Sequence, residues 1–152
     1  MAVYTQAQLP IPILSDKAEQ NPCAGSSGKV YSEAAIQKAR LEKFPKVRSW
    51  FKENPQAFGW LEHAFLELAQ TAGDGQIGSN TLSYHARFCG LKDASGRRMR
   101  RYVPMSNDVN PLISRVLARV HPDMAAKLNL RPCVWDTEEL ADCVRELASM
   151  VA

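Results

Sequence analysis

Apolar residues recur three and four positions apart along most of this chain, and each such stripe is bracketed by residues that start or stop helices. Phe58, Leu61, Phe65, Leu68 and Ala72 make one stripe, opened by Asn54-Pro55 and stopped by Gly73-Asp74-Gly75. Leu82, His85, Ala86 and Cys89 make a second, which Ser79 or Asn80 opens and Gly90 closes. Asn110-Pro111 repeats the Asn-Pro signal ahead of Leu112, Ile113, Val116, Leu117 and Val120, and His121-Pro122 ends that helix. A helical turn through Met124 and Leu128 follows. The final stripe is Leu140, Cys143, Val144, Leu147 and Val151, with Asp136 as cap, Glu139 completing a capping box and Trp135 stapling onto Leu140. Upstream, Ser32 caps a helix running through Ala35, Ile36 and Ala39 to Phe44, where Pro45 ends or kinks it. Val47, Trp50 and Phe51 then return to helical spacing.

Two regions break the helical pattern. Residues 1–30 hold Pro10, Pro12, Pro22 and Gly25-Ser26-Ser27-Gly28, which predicts an extended run from Leu9 to Leu14. Between Leu91 and Met105 the turn-forming Asp93-Ala94-Ser95-Gly96 is followed by Tyr102-Val103, the most β-prone pair of the chain, which predicts a short β-hairpin. The expectation is a mainly α protein: an extended N-terminal arm over 1–30 and a single helical domain over 31–152. Helix, turn, helix, basic hairpin and helix in that order is a winged-helix-like arrangement.

A chain of 152 residues, 45% of them apolar, suffices for one domain with a real core. No apolar run spans a bilayer, and Met1 to Thr5 lack the features of a secretory signal, so the expected location is cytoplasmic, with no membrane partner. Cys23, Cys89, Cys133 and Cys143 fit neither a disulfide scaffold nor zinc knuckles and read as reduced, largely packed thiols. His63, His85 and His121 have no partner at ligand spacing, so neither a metal nor a cofactor is expected. The formal charge of +3 is unevenly laid out. Residues 91–122 carry seven basic and two acidic side chains, whereas residues 123–152 carry three basic and six acidic.

That basic stretch supplies the candidate chemistry. Arg97, Arg98, Arg100 and Arg101 crowd together just after the predicted turn, and fixed positive charge on a short ribbon is suited to phosphate. Lys92 lies beside them, and Arg115 and Arg119, four apart on one helix, would extend the strip. Contact with an acidic protein surface and plain solvation are the competing readings of the cluster. For Arg115 and Arg119 the competitor is pairing with Glu138, Glu139, Asp142 or Glu146. The helix from Asn80 to Cys89, or that from Pro111 to His121, would enter a major groove. Ser79, Asn80, Asn107 and Asn110 are better read as caps than as phosphate ligands. Of Trp50, Trp60 and Tyr84, two are expected to finish the core and the rest to be interface anchors.

Other motifs fail. Gly25-Ser26-Ser27-Gly28-Lys29 lacks the first glycine, the hydroxyl residue after the lysine and a preceding strand of a phosphate loop. Glu62-His63 has no second histidine at helical spacing. Cys89 with His85 reads as a core thiol near a half-buried histidine. No carboxylate pair or Ser/His/Asp grouping has positional support, so no enzyme activity is expected.

Asn54-Pro55, Tyr84-His85-Ala86-Arg87-Phe88, Tyr102 to Asp108, Arg115, Arg119, His121-Pro122 and Arg131 together resemble a loosely defined family of small phage and bacterial proteins of unassigned function. The resemblance covers roughly residues 54–131 and implies a mobile-element setting and a winged-helix-like core. It brings no catalytic or binding residues. The leading expectation is a nucleic-acid-binding protein, most simply DNA-binding, of phage or mobile-element type. The alternative is an accessory protein that docks on a host complex, such as an anti-defence inhibitor, using the arginines or the acidic last helix as a nucleic-acid mimic. A homodimer burying the arm is a third reading.

Overall fold

The computed structural model describes residues 29–89, 94–97 and 103–152 (of Cys89, the backbone only). Helix α1 (Glu33–Lys38) starts at Ser32, whose Oγ accepts from the Ala35 amide at 3.1 Å. It does not stop at Pro45. The chain widens into a π-helical turn (Ala39–Lys43) and runs on as α2 (Phe44–Glu53). Proline has no amide to donate and crowds the carbonyl four residues back. The wider turn, in which the Phe44 amide bonds the Ala39 carbonyl five residues back, absorbs that misfit without ending the helix.

Asn54 alone separates α2 from α3 (Pro55–Ala69). The expected N-terminal cap is not formed; the Asn54 backbone amide and side-chain Nδ2 both donate back to the Trp50 carbonyl, closing α2. Pro55 then occupies the first helical position, where a missing amide costs nothing. Gly75, at φ +72°, turns the chain after α3. Helix α4 (Ser79–Tyr84) continues as a second π-helical segment (His85–Cys89). Helix α5 (Asn110–Val120) is followed by a 3-10 segment (Pro122–Lys127), two single 3-10 turns (Val134–Asp136 and Glu138–Leu140) and α6 (Ala141–Val151).

Helix α5 is the centre of the domain. Every residue from Leu112 to Ala118 is buried, Ser114 and Arg115 included. A helix buried on all sides has no solvent-facing polar stripe, so any polar side chain it carries must find partners inside. Around it, Val47, Trp50 and Phe51 of α2, Phe58, Leu61 and Phe65 of α3, Leu82 of α4, and Cys143, Val144 and Leu147 of α6 complete one continuous core. Trp50 and Trp135 are both within it, and Trp60 packs partly buried against it.

Among the described residues there is no strand ladder. The single β-type pairing there is a parallel bridge between Ile77 and Leu128, continued by bonds from the Gly75 amide to Ala126 O and from the Asn129 amide to Ile77 O. The expected hairpin is not seen: residues 94–96 form the turn, with Gly96 at φ +85°, but 103–106 carry no regular structure. Its residues 91–93 and 98–102, like the arm over 1–28, lie outside the described residues.

Candidate functional site

The expected basic strip divides into residues with different fates. Arg97 is exposed directly after the 94–96 turn. Lys92, Arg98, Arg100 and Arg101 lie outside the described residues. The C-terminal end of that segment is tied to the helices by two bonds. Arg87 Nη2 donates to the Val103 carbonyl, and Trp50 Nε1 donates to the Pro104 carbonyl. Val103 is fully buried, so the chain returns to the core immediately after Tyr102.

Arg115 does not belong to an external strip. It is 3% exposed, and its guanidinium lies against Asp136, with Nε to Oδ1 at 2.9 Å and Nη2 to Oδ2 at 2.8 Å. The carbonyls of Pro111 and Arg131 accept its further hydrogens. This corrects the sequence expectation: four bonds inside the core leave this side chain no reach to an outside anion. Internal pairing was the competing expectation, but the acceptor is the residue expected to cap the last helix. Asp136 Oδ2 also takes the Cys133 amide at 2.9 Å. Helix α6 consequently begins at Ala141, later than the capping pattern indicates. Arg119, one turn beyond Arg115, is exposed.

The acidic C-terminal region is partly neutralised from the other end of the chain. Arg40 reaches Asp142 through Nη1 at 2.9 Å and Nη2 at 3.0 Å, and also donates to the Glu139 carbonyl. Arg48 Nε meets Glu146 Oε2 at 2.8 Å. The charge-assisted bond from Arg40 holds the Asp142 carboxyl below the usual carboxylate range.

Burial disposes of one candidate reading element and leaves another. Helix α5 cannot enter a groove, since its whole middle is enclosed. The helix from Ser79 to Cys89 instead exposes Asn80, Thr81, Tyr84 and Phe88 along one side. Tyr84 is 62% and Phe88 47% exposed, and their rings pack against each other tilted by 46°, with centroids 5.0 Å apart. Two large rings left in water beside each other are unusual on a monomer surface, where apolar side chains otherwise scatter singly. Of the three aromatics singled out from the sequence, Tyr84 is the one that stays outside; Phe88 was not singled out, although its spacing of four from Tyr84 carried the signal.

A cleft of about 320 Å³ lies between the start of α4, the start of α5 and the segment from Asn129 to Cys133. Ser79, Asn80, Asn110, Ser114, Asn129 and Arg131, with the buried Arg115 behind them, supply its polar lining. Sequence reading gave Asn110 capping duty. In the structure Asn110 is the first residue of α5 and Val109 the cap, while Asn110 Oδ1 is sealed from solvent without a hydrogen-bond donor among the described residues. Cys133 borders this cleft as a free thiol, and burial pushes its pKa up, as it does for the buried Cys143.

His63 and His85 both approach Glu67 Oε2, at 3.7 and 3.3 Å, and His121 pairs with Glu62 at 2.9 Å. Among the described residues no group of three His, Cys, Asp or Glu side chains is placed to hold a metal ion, and no helix is long and apolar enough to cross a membrane. No protein family, curated protein or solved structure matches the chain.

Proposed function

We propose that the protein binds nucleic acid, through the exposed side of the Ser79–Cys89 helix and the arginine segment that follows it. The observation that carries this reading is the adjoining, solvent-facing Tyr84–Phe88 pair on the helix that precedes Arg97, Arg98, Arg100 and Arg101 in sequence. Aromatic faces and guanidinium groups side by side are the combination that grips bases and phosphates together. Arg87 and Trp50 support it by fixing where the segment returns to the core. In a winged-helix-like arrangement the Ser79–Cys89 helix is the reading element and residues 91–105 the wing. Lys92 and Arg119 add phosphate contacts; Arg115 does not. Binding alone is the task, without catalysis. The resemblance over residues 54–131 favours a phage or mobile-element setting in the cytoplasm.

Fluorescence anisotropy with a labelled oligonucleotide at rising salt tests the reading. Each lost phosphate contact lowers the slope of log K against log salt by about 0.9 on duplex DNA. Changing all four arginines to alanine therefore flattens the salt dependence by several units of slope. Tyr84→Ala with Phe88→Ala weakens binding at every salt, since stacking is worth about 1–3 kcal/mol per base. Unchanged affinity in the four-arginine variant, or no binding by the wild type at low salt, refutes the proposal.

The second reading, an accessory protein docked on a host complex, draws on the same exposed rings, because tyrosine and arginine anchor protein interfaces too. Its acid-mimic form is the weaker one, since Asp142 and Glu146 are held by Arg40 and Arg48. A stoichiometric protein partner that survives nuclease treatment would favour it.

A further inference from the structure

Duplex and single-stranded nucleic acid ask different things of a helix face. In a duplex the base faces are hidden in the stack, and the grooves present edges that are read mainly by hydrogen-bonding side chains. Unpaired bases present whole faces, which aromatic side chains take by stacking. The exposed side of the Ser79–Cys89 helix carries Asn80, Thr81, Tyr84 and Phe88, with neither a cation nor a carboxylate among them. Arg87, the one arginine or lysine of that helix, donates to the Val103 carbonyl, and its Nε is sealed from solvent. The neighbouring charge from α3 is negative: Glu67 Oε2 lies 3.3 Å from His85 Nε2. The helix therefore has little of its own to offer a groove walled by two rows of phosphates.

What that side does offer is ring surface. Tyr84 and Phe88 both stand well out in water, and their planes are tilted by 46°, so neither ring lies flat over the other. Ring surface of both is left for a third planar group. Positive charge is supplied from one end. The chain leaves this helix after Cys89 and is held beside it again at Val103, through Arg87. Exposed Arg97 is six residues short of Val103, which at about 3.3–3.6 Å per residue keeps it within roughly 20 Å of that bond. We propose that this side of the helix binds single-stranded nucleic acid, taking unpaired bases on Tyr84 and Phe88 while the strand's phosphates run on toward Arg97. Asn80 and Thr81, a turn before the rings, hydrogen-bond the base edges or the sugar. The inference rests on the nucleic-acid reading and narrows its substrate to strands, or stretches of strand, whose bases are unpaired.

The test is fluorescence anisotropy of the whole chain with one labelled pyrimidine-rich sequence, offered as single-stranded DNA, as single-stranded RNA, and as the DNA annealed to its complement. The expected result is that Tyr84→Ala and Phe88→Ala each lower single-strand affinity by about 5- to 150-fold, the factor for one stacked base, while the duplex loses much less. Both positions face solvent, so the variants melt close to wild type and the loss is one of contact, not of fold. Tyr84→Phe recovers single-strand affinity that Tyr84→Leu does not, because stacking needs a ring and not merely apolar bulk. The tighter of the RNA and DNA strands names the sugar of the ligand. A ring loss as large on the duplex as on the single strand, or Tyr84→Leu binding as well as Tyr84→Phe, overturns this proposal and leaves the nucleic-acid reading standing. No binding of any form at low salt overturns both, and leaves a protein interface as the use of the rings.

Discussion

Replacing Asp136 by asparagine isolates the most consequential electrostatic arrangement in the domain. Arg115 is 3% exposed and its side-chain partner Asp136 only slightly more open, so neither charge is hydrated as in water. Asparagine keeps the shape and one acceptor but removes the negative charge, leaving a guanidinium in the core without its counter-ion, beside neutral acceptors such as the carbonyls of Pro111 and Arg131. Breaking one side of such a buried pair costs about 3–5 kcal/mol. The Cys133 amide adds to the loss, because the oxygen it bonds, Oδ2, is one that Arg115 also uses. In a domain of this size each kcal/mol shifts the melting temperature by about 2–4 °C, so Asp136→Asn melts roughly 6–20 °C below wild type. Adding Arg115→Met to that variant removes the stranded charge and recovers part of the loss. Recovery is incomplete, since the Arg131 carbonyl then loses its side-chain donor at about 1–3 kcal/mol. Urea denaturation of wild type, Asp136→Asn, Arg115→Met and the double variant, followed by circular dichroism, gives the complete cycle. A single Asp136→Asn variant within about 1 kcal/mol of wild type would refute the reasoning, because a desolvated charge cannot lose its counter-ion so cheaply.

Three further outcomes follow from other contacts. Asp142 is held below its ordinary pKa by the Arg40 bond, so its contribution is present above the unfolded carboxylate pKa near 4 and fades as pH falls through the lower folded value. Asp142→Asn should therefore be less stable than wild type at pH 7 and converge on it in strong acid; a constant difference across that range would contradict the assignment. In a background with Cys23 and Cys89 changed to serine, burial keeps Cys133 and Cys143 protonated at neutral pH, and Cys143, at 2% exposure, reacts with a thiol reagent more slowly than Cys133. Equal rates matching a small free thiol would refute this. Trp50→Phe strands the Pro104 carbonyl and should cost about 1–3 kcal/mol by denaturant titration, against no effect if that bond is incidental.

Periodicity reads the helical faces correctly because burial and the 3.6-residue repeat act on the same residues. Phe58, Leu61 and Phe65, and Leu140, Cys143 and Leu147, are buried as their spacing indicates. Local capping rules did less well for a physical reason. They assume that an asparagine before proline has nothing better to bond, whereas Asn54 closes the preceding helix and Asn110 Oδ1 finds no donor among the described residues. Pro45 misleads in the opposite direction: the rule concerns a regular α-helix, and a π-turn sidesteps it. The burial of Arg115 was hidden because an arginine in an amphipathic pattern looks like a solvent-facing residue until the Val134–Asp136 turn is known to bring Asp136 against it. The cleft draws on residues separated by more than fifty positions, from Gly78 to Cys133, and no local pattern encodes such a meeting.

The distribution of arginines connects these observations to the proposed function. Asp136, Asp142 and Glu146 are half of the acidic residues after position 122, and each is held by an arginine from an earlier element: Arg115, Arg40 and Arg48. Those three arginines therefore serve to dock the acidic C-terminal region onto the core, and the same three bonds take those carboxylates out of competition for Arg97 to Arg101. Arg40 and Arg48 come from outside residues 91–122, so among these three pairs that stretch gives up only Arg115 to the tail. This makes a directional statement about variants. Arg40→Ala together with Arg48→Ala releases Asp142 and Glu146, adds two uncompensated negative charges to the domain, and should weaken nucleic-acid binding through the protein's overall field although neither arginine touches the ligand. The loss should shrink as salt rises, because field effects between separated charges are screened over about 8–10 Å at physiological ionic strength. A loss that stays constant from low to high salt would instead mean that Arg40 or Arg48 contacts the nucleic acid itself, and the division of labour argued from their ion pairs would fail.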